Sequence, residues 1–543
     1  MSVIKSSLLF ASGTFLSRIT GLIRDQVILG VFGASLLLDA FFVAFRIPNL
    51  FREMLAEGAL GSAFTRVYSG LKEQDEEAAA ALLVRALYLT FLMALVIAAL
   101  GLVLAPWMVR AMTFLKDPGP EREILVHEAT GLTRLLFPYL GLTIMGSVVT
   151  GALYDRGRYF LSAVAPMAFN LGYIVGALLL SRLMERISPH WWAGLVADPA
   201  ISGLAIGVLL GGLAQFYMQF RGLRHAVQGR RPAGPLWDAR VKRVVTLMVP
   251  GAIAAGAGPI NLLVNTNFAT SLAEGTVTWL AAAFRLLQLP IGLFGVAVGV
   301  AVLPGLSRSI EKRRQQTAAP GIGEEAGQQL QAALELVVWL MIPCLVFLEG
   351  LNVPVIRLLF QHGQFGERDA LATAAALQFY GLGVVAYGLI KVLTSYYYAV
   401  ERTTFAMRVS LFSIFVNFLG NYLLVDRLGF RGLALTASLT LSCNALFLIV
   451  GLRGDRIGWD GRLWLRSLVI LGVSAAAAWT GQRLCQQALL PLHYGNPGAV
   501  KLNAAAEVVS GGLAILLFFS VGGMVRLRTS PAGILRKLRQ LKG

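Results

Sequence analysis

The stretch ALYLTFLMALVIAALGLVLAPWMV, residues 86–109, contains no charged side chain. As a helix it would reach about 36 Å at about 1.5 Å per residue, enough to cross roughly 30 Å of hydrocarbon. It is one of many such runs. Comparable charge-free stretches occupy 135–154, 159–181, 199–220, 244–273, 286–307, 370–390 and 432–452. Shorter or interrupted ones lie near 8–30, 37–64, 329–360, 404–425, 463–482 and 503–525. The reading is an all-α polytopic membrane protein of about fourteen transmembrane helices. Alternating strands are absent, which excludes a β-barrel. Composition agrees: 56% of the 543 residues are hydrophobic, only 14% are charged, and the mean hydropathy is +0.69. Soluble chains carry charge at roughly a quarter of their positions.

A formal charge of +18 could suggest a nucleic-acid partner, but its distribution argues against one. With a cytoplasmic N-terminus, the basic clusters 221–243, 308–314, 453–466 and 526–542 all fall in inside loops. This is the asymmetry by which Lys and Arg orient membrane proteins. Both termini are then cytoplasmic, the helix number is even, and the basic excess faces anionic headgroups. The first apolar run continues past any cleavage site and carries Arg18 and Arg24, so it reads as a helix and not as a signal peptide. Cys344, Cys443 and Cys485 have no metal-ligand spacing, and the five histidines form no recognisable metal or catalytic motif. Enzymatic chemistry has no visible centre.

The two halves of the chain resemble each other. Ala44-Phe45-Arg46 with Pro48 answers Ala283-Phe284-Arg285 with Pro290, an offset of 285 − 46 = 239. Tyr139-Leu140-Gly141-Leu142 answers Tyr380-Gly381-Leu382-Gly383, and Asn170-Leu171-Gly172-Tyr173 answers Asn417-Phe418-Leu419-Gly420. A repeat of about six helices enters the membrane twice in the same direction, the parallel kind related by a pseudo-two-fold axis along the membrane normal. The expected domains are an N-terminal lobe at 1–225, a basic linker at 226–240 and a C-terminal lobe at 241–455. Two further helices at 456–526 and a basic tail at 527–543 complete the chain.

Ionisable residues inside apolar segments cost several kcal/mol unless they face a cavity or a partner. They concentrate in the first two helices: Arg18, Arg24, Asp25, Asp39, Arg46, Arg52, Glu53 and Glu57, with Arg285 and Lys391 further on. Arg18 and Asp25 share a helix face, as do Arg46 and Glu53, so either pair could be self-neutralising. Asn49, Glu53 and Glu57 descend one side at four-residue spacing. Pro48 and Gly58 predict a bend or break in the second helix. Arg24, Arg52 and Arg285, helped by Arg18 and Arg46, would make a cationic cavity suited to a diphosphate, because guanidinium groups present paired donors to phosphate oxygens. Asp39 sits near the external end, where it suits a gate. Lys391 either joins the cavity or snorkels. Glycines 292, 295 and 299 read as close helix packing.

The runs SRITGLIRD (17–25), FGASLLLDAFFVAFRIPNLFR (32–52), LAEGAL (55–60), LPIGLFGVAVG (289–299), LPGLSR (303–308) and FQHGQF (360–365) resemble the MurJ (MviN) family of bacterial lipid II flippases, over about 1–455. The resemblance implies the multidrug/oligosaccharidyl-lipid/polysaccharide exporter fold of two six-helix lobes. It also implies two final helices that line a groove for the undecaprenyl tail. The family's essential arginines match Arg18, Arg24, Arg52 and Arg285, and its acidic partner matches Asp25. Asp39, Arg46 and Glu57 fall on positions the family uses for charge. The implied activity is moving undecaprenyl-diphosphate-linked peptidoglycan precursor across the inner membrane, with no bond made or broken and no cofactor. Expected partners are that lipid and the surrounding membrane lipids, with cell-wall synthesis proteins as further candidates and a monomer as the working state. The alternatives are a flippase for another polyprenyl-linked oligosaccharide and a cation-coupled multidrug exporter. Some family members bind sodium in the C-terminal lobe; the matching positions here are Asn265, Asn417, Asn421 and Ala437, which leaves at most a weak sodium site.

Overall fold

In the computed structural model the described residues are 3–187, 192, 194–227, 235–316, 322–452, 472, 476, 479, 480, 483 and 497–524. Residues 228–234 of the basic linker, most of the expected thirteenth helix and the tail beyond 524 lie outside them, as does the side chain of Glu57. The described residues are helical with no strand. Eight helices among them are long and apolar enough to cross a membrane, and a bent pair makes a ninth. Lipid-facing surface explains the pattern. Glu76–Met112 is the most apolar of these spans, yet only 17% of its most apolar window is buried, with Phe91, Val96, Val103 and Trp107 exposed. An apolar exterior is stable only against hydrocarbon.

The chain forms two compact units, Met1–Thr278 with His362–Phe365, and Trp279–Gln361 with Gly366–Gly543. In the first, α1 (Val3–Phe32) is followed by α2 (Leu36–Phe51), whose N-cap Ser35 accepts from the Leu38 amide at 3.3 Å. The helix does not break at Pro48. It widens into a π-helical segment, Arg52–Leu60, before α3 (Gly61–Lys72). Then come α4 (Glu76–Met112) and α5 (Pro120–Asp155), with α6 (Tyr159–Val164), α7 (Pro166–Val175), a π turn at Gly176–Leu180 and α8 (Ser181–Ile187). The unit closes with α9 (Pro199–Arg221), α10 (Arg224–Val227), α11 (Ala239–Ala255) and α12 (Ala257–Thr270). Asp198 caps α9 through the Ala200 and Ile201 amides, and Pro199 takes the first helical position. α11 packs on the π segment and α3, and α12 on α2 and α4, so residues 239–278 belong to the first unit.

Glycine brings α7 and α9 together. A Cβ on Gly172 would lie 2.3 Å from the Gly211 Cα, and one on Gly207 would lie 2.5 Å from the Gly176 Cα. Helices approach this closely only where neither carries a side chain at the contact. The four-residue loop 362–365 also rests on the first unit: the Gln364 amide donates to the Gly30 carbonyl at 2.8 Å. Both sides of that seat need left-handed backbone, Gly33 at φ 62° and Gly363 at φ 60°.

In the second unit α13 (Thr276–Pro290) runs from the first, passes through a π turn at Ile291–Gly295 and continues as α14 (Val296–Gln316). It is followed by α15 (Glu324–Gly350), α16 (Asn352–Phe360), α17 (Glu367–Gly381), α18 (Val384–Ala399), α19 (Thr403–Leu428), α20 (Phe430–Val450) and α21 (Pro497–Met524). Trp339, Tyr396 and Tyr397 are buried in its core. Gly295 and Gly299 face α18, where a Cβ would lie 3.2 Å from the Gly388 Cα and 2.9 Å from the Lys391 carbonyl. Their role is packing.

Candidate functional site

Arg24 is the most constrained of the intramembrane cations, only 9% exposed. Its Nε and Nη2 both donate to Asp25 Oδ1, at 2.9 and 2.6 Å. Its Nη1 donates to Asn170 Oδ1 at 3.0 Å, and its guanidinium lies 4.9 Å from the centre of the Tyr173 ring. Asn170 in turn donates to the Ser17 carbonyl at 3.0 Å and to Thr20 Oγ at 3.1 Å. Asp25 therefore takes its sequence neighbour and not Arg18, which makes no ion pair among the described residues. Asn170 and Tyr173 were not selected by charge or spacing, because neither is ionised at neutral pH. The one sequence signal that touched them was the repeat, which matched Asn170 to Asn417.

Arg52 opens the π segment, its Nε donating to Asn49 Oδ1 at 2.9 Å, while Asn49 Nδ2 donates to Glu53 Oε1 at 2.7 Å. The face predicted by four-residue spacing thus joins Asn49 to Glu53 and carries Arg52 beside them. Arg46 turns toward α12, donating to the Leu262 carbonyl at 3.2 Å and to the Thr266 hydroxyl.

Asp39, 4% exposed, accepts from the Gly275 amide at 2.8 Å, the Thr278 amide at 2.8 Å and the Thr278 hydroxyl at 2.6 Å. It binds the start of α13, where amides have no helical partner and the macrodipole favours an anion. Glu274 answers it: its carboxylate accepts from the Leu36 amide at the start of α2, at 2.7 Å. In the second unit Arg285 is exposed on α13, and Lys391 on α18 lies 5.1 Å over the Tyr387 ring.

The positions matching a family sodium site divide between the units: Asn265 belongs to the first, Asn417 and Asn421 to the second. Asn417 and Asn421 are buried, and Asn421 Nδ2 donates to Asn417 Oδ1 at 3.3 Å. A hard cation wants several oxygens, preferably anionic. Here one amide oxygen is engaged by an N–H and no carboxylate stands at either position. The pair does not fit a tight sodium site. Among the described residues no group of three or more His, Cys, Asp or Glu could hold a metal ion.

Membrane-spanning helices with a desolvated arginine among them make a setting that suits an anionic group. The particular family follows from comparison. Residues 28–500 match the family model for lipid II flippase MurJ, and the chain belongs to that family. It is 32% identical over 501 residues to the lipid II flippase MurJ of Burkholderia cenocepacia, covering 89% of this chain and 92% of that one. It is 29% identical to the probable lipid II flippase MurJ of Vibrio cholerae, over 96% of each chain. Among solved structures, a lipid II flippase MurJ in an inward closed conformation superposes with a TM-score of 0.74 at 23% identity, over 95% of this chain and 98% of that one. An inward-facing multidrug resistance MATE transporter of the MOP superfamily gives a TM-score of 0.60 at 15% identity, covering 82% of this chain and 96% of that one. Both share the fold. The family is one of transporters, not enzymes.

Proposed function

We infer that this chain is a lipid II flippase that carries the undecaprenyl-diphosphate-linked peptidoglycan precursor from the cytoplasmic to the periplasmic leaflet by alternating access. Family membership over most of the length supports the cargo. The observation that carries the mechanism is Arg24, a desolvated guanidinium whose orientation is fixed before any substrate arrives. In this reading Arg24, Arg52 and Arg285 hold the diphosphate, with Arg18 and Arg46 adding positive potential, while the polyprenyl tail stays in lipid. Asp25 keeps Arg24 charged and oriented. Asn49 and Glu53 position Arg52, Glu57 lies on the same segment, and Lys391 contributes to the cavity. Asp39 serves the external gate.

In this reading the expected lobes 1–225 and 241–455 both take part in alternating access, and the helices of 456–526 guide the tail. The protein resides in the bacterial inner membrane with fourteen helices and both termini cytoplasmic, and works as a monomer, with cell-wall synthesis proteins as candidate neighbours. No step is routed through sodium.

The test is a reconstituted vesicle assay scoring exposure of the lipid II headgroup. Losing one charge-assisted contact of about 1.5–3 kcal/mol should lower transport roughly 10- to 100-fold in Arg24→Ala, Arg52→Ala or Arg285→Ala. Wild-type transport by all three variants would overturn the cavity model.

A further inference from the structure

We propose that Asn170 is a positioning residue for the anion-binding arginine: it fixes the Arg24 guanidinium and thereby sets how tightly a lipid-linked diphosphate is held. The inference rests on the function proposed above and adds a residue outside the charged set.

Neighbouring residues on a helix point about 100° apart, so Arg24 and Asp25 do not meet without help. Here the guanidinium folds back until Nε and Nη2 share one carboxylate oxygen. That geometry needs support on the far edge of the group, and Asn170 provides it from α7 by accepting from Nη1.

The amide itself cannot turn over. Its nitrogen donates to the Ser17 carbonyl and to Thr20 Oγ1, so a flip would set an N–H against the Arg24 N–H and the amide oxygen against the Ser17 carbonyl oxygen. Ser17, Thr20 and Arg24 lie at i, i+3 and i+7 on one face of α1, and the single Asn170 side chain spans that face. Three residues further along α7, Tyr173 places its ring under the guanidinium. Asn170 is 5% exposed and Tyr173 3%, so water does not compete for these contacts.

Of the five guanidinium N–H groups three are engaged by Asp25 and Asn170, leaving two for the oxygens of a bound anion. An arginine fixed this way has already lost its rotamer freedom, and its binding energy is not spent again on ordering.

The experiment measures binding of undecaprenyl diphosphate to the full-length protein in lipid nanodiscs, together with thermal melting. Asn170→Leu keeps the volume and removes the amide; it should weaken binding about tenfold, the worth of one hydrogen bond to a charged group. Thr20→Val, which removes one support of the amide, should shift binding the same way by a smaller factor. The decisive readout is the double variant. If Asn170 acts through Arg24, then Arg24→Ala with Asn170→Leu binds no more weakly than Arg24→Ala alone. Factors that multiply in the double variant would overturn the proposal, as would a lowered melting temperature with unchanged affinity. Should Asn170→Leu not assemble, Thr20→Val carries the same cycle with Arg24→Ala, and unchanged affinity there overturns it. An Arg24→Ala protein that binds as tightly as wild type would instead overturn the function proposed above.

Discussion

Asp39 illustrates how a single buried carboxylate in a membrane protein can gather a helix start. Three donors converge on it, two of them backbone amides at the opening of α13. Replacing it by Asn keeps the shape, yet turns an N–H toward donors that an oxygen had accepted. The uncompensated contacts should cost about 1–3 kcal/mol. We expect Asp39→Asn to lower the thermal melting midpoint in detergent by several degrees, and Thr278→Val to lower it less, since that change removes one hydroxyl and leaves both amides in place. Equal melting of Asp39→Asn and wild type would show that the three contacts contribute nothing to stability. The carboxylate was legible in the sequence as an oddity in an apolar run. Its partners were not, because two of the three donors are the Gly275 and Thr278 backbone amides, which almost every residue type possesses.

At the scale of the element, the repeat read from three short matches has a structural counterpart. Two of the three described π-helical segments begin at Arg52 and Ile291, and 291 − 52 = 239, the offset found for the Ala-Phe-Arg matches. Ser35 and Glu274, then Asp39 and Thr278, differ by the same 239; Ser35 caps its own helix, Glu274 accepts from the Leu36 amide, and Asp39 accepts from Thr278. Pro48 and Gly58 predicted a bend or break in the second helix; the helix instead widens into the π-helical segment Arg52–Leu60 and continues. Close packing was legible where glycines recur at four-residue spacing, as at 295 and 299. The tighter α7–α9 contact carries the same spacing in both of its runs, Gly172 with Gly176 and Gly203 with Gly207 and Gly211, but which runs pack together is not written in either one. Gly207→Ala would put a methyl group 2.6 Å from the Gly172 carbonyl oxygen as well as onto Gly176. We expect a loss of about 1–3 kcal/mol, read as reduced melting temperature and reduced yield of folded protein. Gly70→Ala is the control: nothing lies within 4 Å of the added atom, so a helix-favouring substitution there should be neutral or stabilising by about 0.4–1 kcal/mol. Similar losses in both would remove close packing as the cause.

For the whole molecule, the membrane class was legible because lipid-facing and core-facing surfaces are both apolar, which leaves long uncharged runs that no soluble fold requires. Energy coupling is the harder property. A sodium-driven carrier must hold the ion more tightly in one state than another, and differential affinity of that kind depends on anionic oxygen. Asn417 and Asn421 supply neutral amides, one of which engages the other. Transport in vesicles should therefore proceed at the same rate in sodium, potassium or choline buffers of equal ionic strength. A sodium requirement in the wild-type protein would contradict this account. The converse change is also informative. Asn421→Asp places a carboxylate in a fully buried position beside an amide oxygen, where its charge is costly unless a cation neutralises it. The variant should melt at a lower temperature than wild type in choline and recover in sodium. Because any ligand that binds only the folded state stabilises it by mass action, the recovery should grow with the logarithm of sodium concentration once the site is more than half filled. A variant whose melting ignores sodium would mean that the buried pair cannot be turned into a cation site by charge alone, and that shape, not the missing carboxylate, keeps sodium out.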